Sequence, residues 1–486
     1  MFRRCARIGG FASALTVLAV VAAAAVARPP AAAHRPAAAH PPAAARPSSG
    51  PPQNPFLAAN PFSNIHNDTW MSNVYSIAGP TRGATIGRGG TPAWLCGSLT
   101  FDRAGQIVSV CITAGAPPQA QIIDPITLKV LTTYQLPTAP TPPGTPLFQN
   151  FGGGGYFFLD QHDRVWTATR TRHIFVLAIR AGRFVKVADY DLTRYLNPNQ
   201  ELTSALPDFS GHIWFVSKRG GVVGVLDPRT GRVRVTHADS EIENSFAVGR
   251  HGVYIVSERS MYRFALGRGG QPVVVWRVRY RNSGIHKPGQ VDAGSGTTPT
   301  ILPRGYVAIA DNADPMDVVV YRTATRLARG QSRLVCRVPV FHKGASDTEN
   351  SLIGSGRSLF VENNYGYRGF TGRDANALTA PGFARLDIDR DGRGCHRVWQ
   401  TFDARAPSVV PKLSTKTGLI YTYTRDPGAN APWSWTAISA RTGRTAFTVP
   451  AGTGVLGNNN YAGIALGPTG NAYLGTIGGI SELRRR

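Results

Sequence analysis

The feature that most constrains this chain is a hairpin that recurs eight times between Cys96 and the C-terminus. Each copy joins a short apolar segment, a turn carrying Gly or Asp, and a strand-like run such as IVSVC (107–111), IWFVS (213–217) or YVAIA (306–310). A third apolar run usually follows. The turns fall at Gly105, Asp163, Gly211, Gly252, Gly305, Gly356, Gly418 and Gly470. The runs behind them are rich in Val, Ile, Tyr and Phe and nearly alternate in polarity, the period-two signature of strands. Spacings of 41 to 62 residues suit four-stranded units with variable loops. That pattern predicts an all-β chain folded as a single β-propeller of eight blades. Seven is the alternative if the first or last hairpin is miscounted.

First strands are expected to begin near Leu95, Gly154, Leu202, Asn244, Thr297, Asn350, Val409 and Tyr461. The last repeat stops at Arg486 just after its third strand, so the ring needs a fourth strand from elsewhere. MSNVYSI (71–77), ahead of the first repeat, is the expected donor. Joining the two ends leaves no long exposed sheet edge.

The first 27 residues combine a basic start (Arg3, Arg4, Arg7), an apolar run from Phe11 to Ala27 and the small-residue pattern Ala25-Val26-Ala27. They read as a secretory signal peptide cleaved before Arg28. An uncleaved N-terminal anchor is the alternative, because the run is close to the minimum of about 17 residues that spans a bilayer. No other segment is apolar and long enough to span. Residues 28–60 begin as an Ala/Pro tract that cannot bury a core, and are expected to form a disordered linker ahead of a propeller domain at 61–486. His34 and His40 in that tract read as bystanders.

Once the signal is removed, four cysteines remain, an even number in an exported protein, which points to two disulfides. Cys96 and Cys111 lie on adjacent strands of one repeat, and Cys336 and Cys395, in the last strands of neighbouring repeats, pair by elimination. The expected location is therefore secreted or cell-envelope. Formal charge is +25, and the first 50 residues hold six basic residues and no acid, so the remainder is still +19. Such a surface attracts anionic envelope polymers. Nucleic acid is not an expected partner, because no helix-turn-helix, RRM signature or zinc-finger spacing accompanies the charge. A monomer is expected.

In a propeller the loops entering the innermost strands converge on one channel mouth. Glu201, Glu243, Asp292 and Glu349 stand at or just before such strand starts, and the tripeptide Glu-Asn-Ser occurs twice, at 243–245 and 349–351. Carboxylates beside amide oxygens are the hard ligands that Ca²⁺ requires, so Glu243, Asp292 and Glu349 are candidate metal ligands. The competing reading is structural, with these groups bonding free backbone amides of neighbouring blades. The pairs Asp311-Asn312 and Glu362-Asn363, at the ends of second strands, invite the same two readings. His66 and Asp68, in HND (66–68), and His286 are candidates for catalytic proton transfer. GSGTT (294–298) has the look of a small anion-binding loop but lacks the Lys-Ser/Thr of a P-loop. No GxSxG elbow or HExxH helix is present.

The strings LDPRTGRV (226–233) and AISARTGRT (437–445) resemble those of the quinoprotein-like propellers, in particular the superfamily of the amine dehydrogenase β-chain type, over about residues 62–486. The chain also looks like secreted propellers without an established role, through IHNDTWM (65–71) and ADNADP (310–315). Quinone dehydrogenases of this shape repeat a Trp docking motif once per blade. Here Trp94, Trp166, Trp214, Trp276, Trp399, Trp433 and Trp435 are not expected to recur in register, so pyrroloquinoline quinone is not favoured as a cofactor. The functional expectation is an exported propeller that binds a small ligand at its channel mouth, with Ca²⁺ as a candidate partner. The alternatives are a propeller lactonase, lyase or oxidoreductase using the acid cluster, and a basic envelope scaffold.

Overall fold

The computed structural model describes residues 50–113, 115–140, 155–370, 378–428 and 430–486. The signal peptide, the Ala/Pro tract to residue 49 and most of the Gly152–Gly155 run lie outside the described residues.

Eight antiparallel sheets stand side by side, each built outward from a short inner strand. Blades 1 to 6 start at Leu95–Phe101, Phe158–Leu159, Leu202–Pro207, Ala247–Gly249, Thr300–Leu302 and Ile353–Ser355. Blades 7 and 8 start at Lys412–Ser414 and Ala465–Leu466. Among the described residues there is no α-helix, and no helix is long and apolar enough to cross a membrane. Blade order and burial explain the sequence pattern. Second strands are covered on both faces, as in Ile213–Ser217, where all five residues are buried. Outer strands alternate, as in Val130–Gln135.

Six of the eight inner strands begin three or four residues later than expected. Asn244-Ser245, Thr297-Thr298 and Asn350-Ser351 precede the ladder as buried irregular chain. Their polar side chains bond across blades: Ser204 to Ser245 at 2.7 Å, and the Thr298 amide to Ser351 Oγ at 3.1 Å.

Ring closure differs from expectation. The fourth strand of blade 8 is Thr85–Gly89, antiparallel to Gly479–Arg484. Only Val74–Tyr75 of the expected donor is a strand, and it adds in parallel to Lys412–Ser414 on the inner edge of blade 7. TIGRG escapes a search for apolar alternation because an outermost strand needs little apolar surface, and just one of its residues is buried.

The segment ahead of it fills the axis. The chain is packed already at Asn54 and Leu57, inside the span expected to be linker. Asn54 donates to Pro207 O of blade 3, and the Ala58 amide to Leu159 O of blade 2. The segment rises to Ile65 and His66, then descends. Thr69, Trp70, Ser72 and Asn73 offer their carbonyls in turn to the amides of Val248, Ile301, Gly354 and Leu413, one for each of blades 4 to 7. Inner-strand N–H groups that would otherwise face an open channel are satisfied by this plug.

Both disulfides form as expected. Cys96 and Cys111 are directly opposed across one ladder, and Cys336–Cys395 clasps the outer strands of blades 5 and 6. Two tryptophans do share a register, contrary to expectation. Trp166 and Trp214 each follow an Asp by six residues and donate their indole N–H to it, Asp160 at 2.8 Å and Asp208 at 3.0 Å.

Candidate functional site

Above the plug tip lies a pocket of about 110 Å³. The loops that enter blades 3, 4 and 6 bring Glu201, Glu243 and Glu349 to its wall, as the blade-start reasoning expects. Ile65 and His66 form its floor, and Tyr156, Tyr461 and Lys218 complete it. Asp292, at the entry to blade 5, does not line the pocket but lies close enough to Glu243 and Glu349 to repel both.

Lys218 directly follows the second strand of blade 3, Ile213–Ser217, and its Nζ stands 2.5 Å from Glu243 Oε2. Burial pulls the lysine pKa down, but the attraction of Glu243 outweighs it and the amine is held above its ordinary value. Glu243 is raised by burial and drawn back by Lys218. We assign this contact as an ion pair. Asp292 then takes the strain: burial, followed by repulsion from Glu243, pushes its pKa up to about 8. Glu349 is raised well above the carboxylate range by burial and by Asp292 and Glu243. Asp292, with its pKa near 8, therefore keeps its proton at neutral pH, and Glu349 is shifted in the same direction.

These carboxyls are only partly occupied by the protein. Glu349 Oε2 accepts from the Val291 amide at 3.2 Å, and Asp292 Oδ1 from the Gly294 amide at 2.8 Å. The GSGTT loop holds the cluster together by close approach and not as an anion cradle: a Cβ on Gly296 would stand 2.1 Å from Thr348 O and 2.7 Å from Glu349 Oε2. Glu362 accepts from the Asn350 amide group at 2.8 Å and from Asn364 at 3.0 Å, and Asp311 from the Ala313 and Asp317 backbone amides, so both acids bond within their own blades and not, as the structural reading expects, to amides of a neighbouring one.

The histidine candidates part company. His66 Nδ1 donates to Asn73 Oδ1 at 3.0 Å, leaving the Nε2 lone pair toward Ser351 Oγ at 3.5 Å. The Ser-His-Asn order suggests a nucleophile and its base, but burial and the charge of Lys412 lower the imidazole pKa to about 3. A base that weak does not activate a hydroxyl at neutral pH. Asp68 belongs to the plug: it accepts from the Ser72 hydroxyl and the Trp70 amide, and burial raises it to about 6. His286 is exposed on the rim, its Nε2 bonded to Gln290 O at 2.6 Å. Among the described residues no three His, Cys, Asp or Glu side chains converge in a way that could hold a metal ion.

Lys218, Tyr156 and Tyr461 escape sequence reasoning. The tyrosines are placed by contacts remote in the chain, Tyr156 through Asn244 at 2.9 Å and Tyr461 through Gly289 O at 2.8 Å. Lys218 carried one usable signal, its position directly after a second strand, where loops return to the same mouth.

No protein-family model matches the chain. An uncharacterised protein of Archaeoglobus fulgidus is 24% identical over 316 residues, 58% of this chain and 61% of that relative, so the match spans about three fifths of the relative's length. Among solved structures, the quinohemoprotein alcohol dehydrogenase of Comamonas testosteroni superposes with a TM-score of 0.56 at 11% identity, covering 88% of this chain and 80% of that one. A europium-containing methanol dehydrogenase gives 0.53 at 11% identity over 86% and 91%. At these identities the likeness is one of fold, a quinoprotein-like propeller, and carries no activity with it.

Proposed function

We propose that this is an exported binding propeller whose mouth pocket takes a small positively charged group, such as an alkylammonium. The observation that carries this reading is the pocket itself: three carboxyl groups and two tyrosines gathered in a protein of net charge +25. Acids concentrated against the sign of the whole molecule select a cation. Tyrosine faces add cation–π attraction. Lys218 already sets an ammonium against Glu243, so the chemistry of the contact is built in. Size narrows the class, since a cavity of about 150 Å³ admits benzene and this pocket of about 110 Å³ suits a headgroup of a few heavy atoms. Export is supported by the two disulfides, which persist in oxidising compartments.

Calorimetric titration with tetramethylammonium, ethylammonium and CaCl₂ tests the reading. Saturable binding of an ammonium, weakened by about tenfold or more in Glu243→Gln and Glu349→Gln, is the expected result. Elemental analysis of the same variants decides the role of Ca²⁺: metal at one equivalent in the parent and lost in both variants makes Ca²⁺ the ligand. No saturation by any of the three probes ends the proposal.

One observation favours a second, enzymatic reading. Burial raises both Glu243 and Glu349, but Lys218 draws Glu243 back while Asp292 and Glu243 push Glu349 further up, the kind of asymmetry that divides general acid from general base. On this reading the pocket opens a lactone or eliminates across a C–O bond. Turnover of lactone substrates by the parent and its loss in Glu349→Gln would support it.

A further inference from the structure

The closure seam builds a second cavity, of about 320 Å³, between blades 7 and 8. Its wall brings together Arg88 from the closing strand, Tyr423 from the second strand of blade 7, and Ser481 from the third strand of blade 8. Thr453 and Thr476 add hydroxyls, and Leu456 and Ile480 add apolar surface. Among the described residues no acidic side chain lines it.

Two features set it apart from a packing defect. Tyr423 is wholly buried, yet among the described residues its hydroxyl makes no hydrogen bond of good geometry. Ser481 Oγ beside it accepts the indole N–H of Trp435 at 2.9 Å and is left with only a weak contact to the Tyr423 hydroxyl. A buried hydroxyl left unpaired costs about 1–3 kcal/mol, a penalty that an incoming acceptor removes. Arg88 spends one N–H on Ala451 O, which leaves further guanidinium donors beside the same space. Glycine keeps the space open: a Cβ on Gly452 would stand 2.4 Å from Arg88 Nη2. Donors without acids, beside an apolar wall, describe one class of ligand.

We propose that the seam cavity binds a small organic anion, a carboxylate carrying an apolar group, with the carboxylate on Arg88 and the Tyr423 hydroxyl and the apolar group against Leu456 and Ile480. This site is independent of the mouth pocket and takes the opposite charge. A fork of guanidinium N–H groups matches a carboxylate in geometry as well as sign.

Benzoate, acetate and inorganic phosphate, titrated calorimetrically into the full chain, are the probes. Benzoate should saturate and bind more tightly than acetate or phosphate, with Arg88→Gln and Tyr423→Phe each weakening it about tenfold while Glu349→Gln leaves it unchanged. Tyr423→Phe removes at most a weak contact with Ser481, so its folding is secure even where Arg88→Gln disturbs the seam. The site is refuted if benzoate fails to saturate, if Tyr423→Phe binds as the parent does, or if phosphate binds more tightly than benzoate.

Discussion

Lys412 is the residue on which the axis depends. It is fully buried in the inner strand of blade 7, and its amine donates to Ile65 O, to Asn67 Oδ1 at 3.1 Å and to Asn73 Oδ1 at 2.6 Å, three acceptors of the plug tip. Lys412→Met keeps the length and deletes the donors. With each stranded acceptor worth about 1–3 kcal/mol, it should lower the denaturant midpoint and abolish occupancy of the mouth pocket, whose floor is that tip; a midpoint equal to the parent's contradicts the assignment. Asp292 supplies the pH prediction. Its folded pKa, about 8 against an ordinary 3.8, means that the folded state holds a proton the unfolded state has released. Its contribution is therefore complete below pH 4 and lost as pH rises to about 8. His66 runs the other way, lowered from 6.5 to about 3, so its own contribution is lost as pH falls through that window. Above pH 6.5 the raised carboxyls pull stability down as pH rises, while the buried Lys412, held well below its ordinary value, works in the opposite direction. Asp292→Asn should flatten the decline between pH 6.5 and 8 by up to about 1.4 kcal/mol per pH unit, read from urea melts.

Among elements, the clasp and the closing strand divide the work of holding the ring. Cys336–Cys395 closes 59 residues and Cys96–Cys111 only 15. Because the constraint on the unfolded chain grows with loop length, the Cys336→Ser/Cys395→Ser double variant should lose more stability than Cys96→Ser/Cys111→Ser, about 4 against about 3 kcal/mol; thermal melts showing the reverse order would reject that model here. The closing strand was the least legible element. Thr85–Gly89 carries no apolar alternation, and its place is dictated by complementarity: a Cβ at Gly87 would stand 2.4 Å from Glu482 Oε2, which accepts from Arg484 while Oε1 of the same carboxylate accepts from Asn471. The second strands were the most legible, because a run covered on both faces must be apolar throughout, whatever surrounds it.

At the scale of the molecule, sign separates three regions: a basic exterior, an acidic mouth and a basic seam. Binding of a cation at the mouth should release the proton of Asp292, whose pKa lies near 8, so affinity for an ammonium probe rises between pH 6 and 8, and the heat of binding varies with the ionisation enthalpy of the buffer. Affinity independent of pH would mean that the probe sits elsewhere. The exterior charge gives a separate expectation. Retention on dextran sulfate should weaken steeply as salt rises, since exposed charges interact over a Debye length of only about 3 Å at 1 M; retention undiminished at molar salt removes the envelope-scaffold reading.

By itself the sequence determined the eight blades, their hairpin turns, the cysteine pairing and the approach of Glu201, Glu243 and Glu349 to one mouth. Strand periodicity is local, and radial repetition converts equal positions in successive blades into neighbours. Only the tertiary structure decided that residues 54–75 fill the axis, that Thr85–Gly89 closes the ring, and that Lys218, Tyr156 and Tyr461 join the acids. Those placements rest on backbone groups seeking partners hundreds of residues away, as when Asn73 O meets the amide of Leu413, and no local pattern encodes such a pairing.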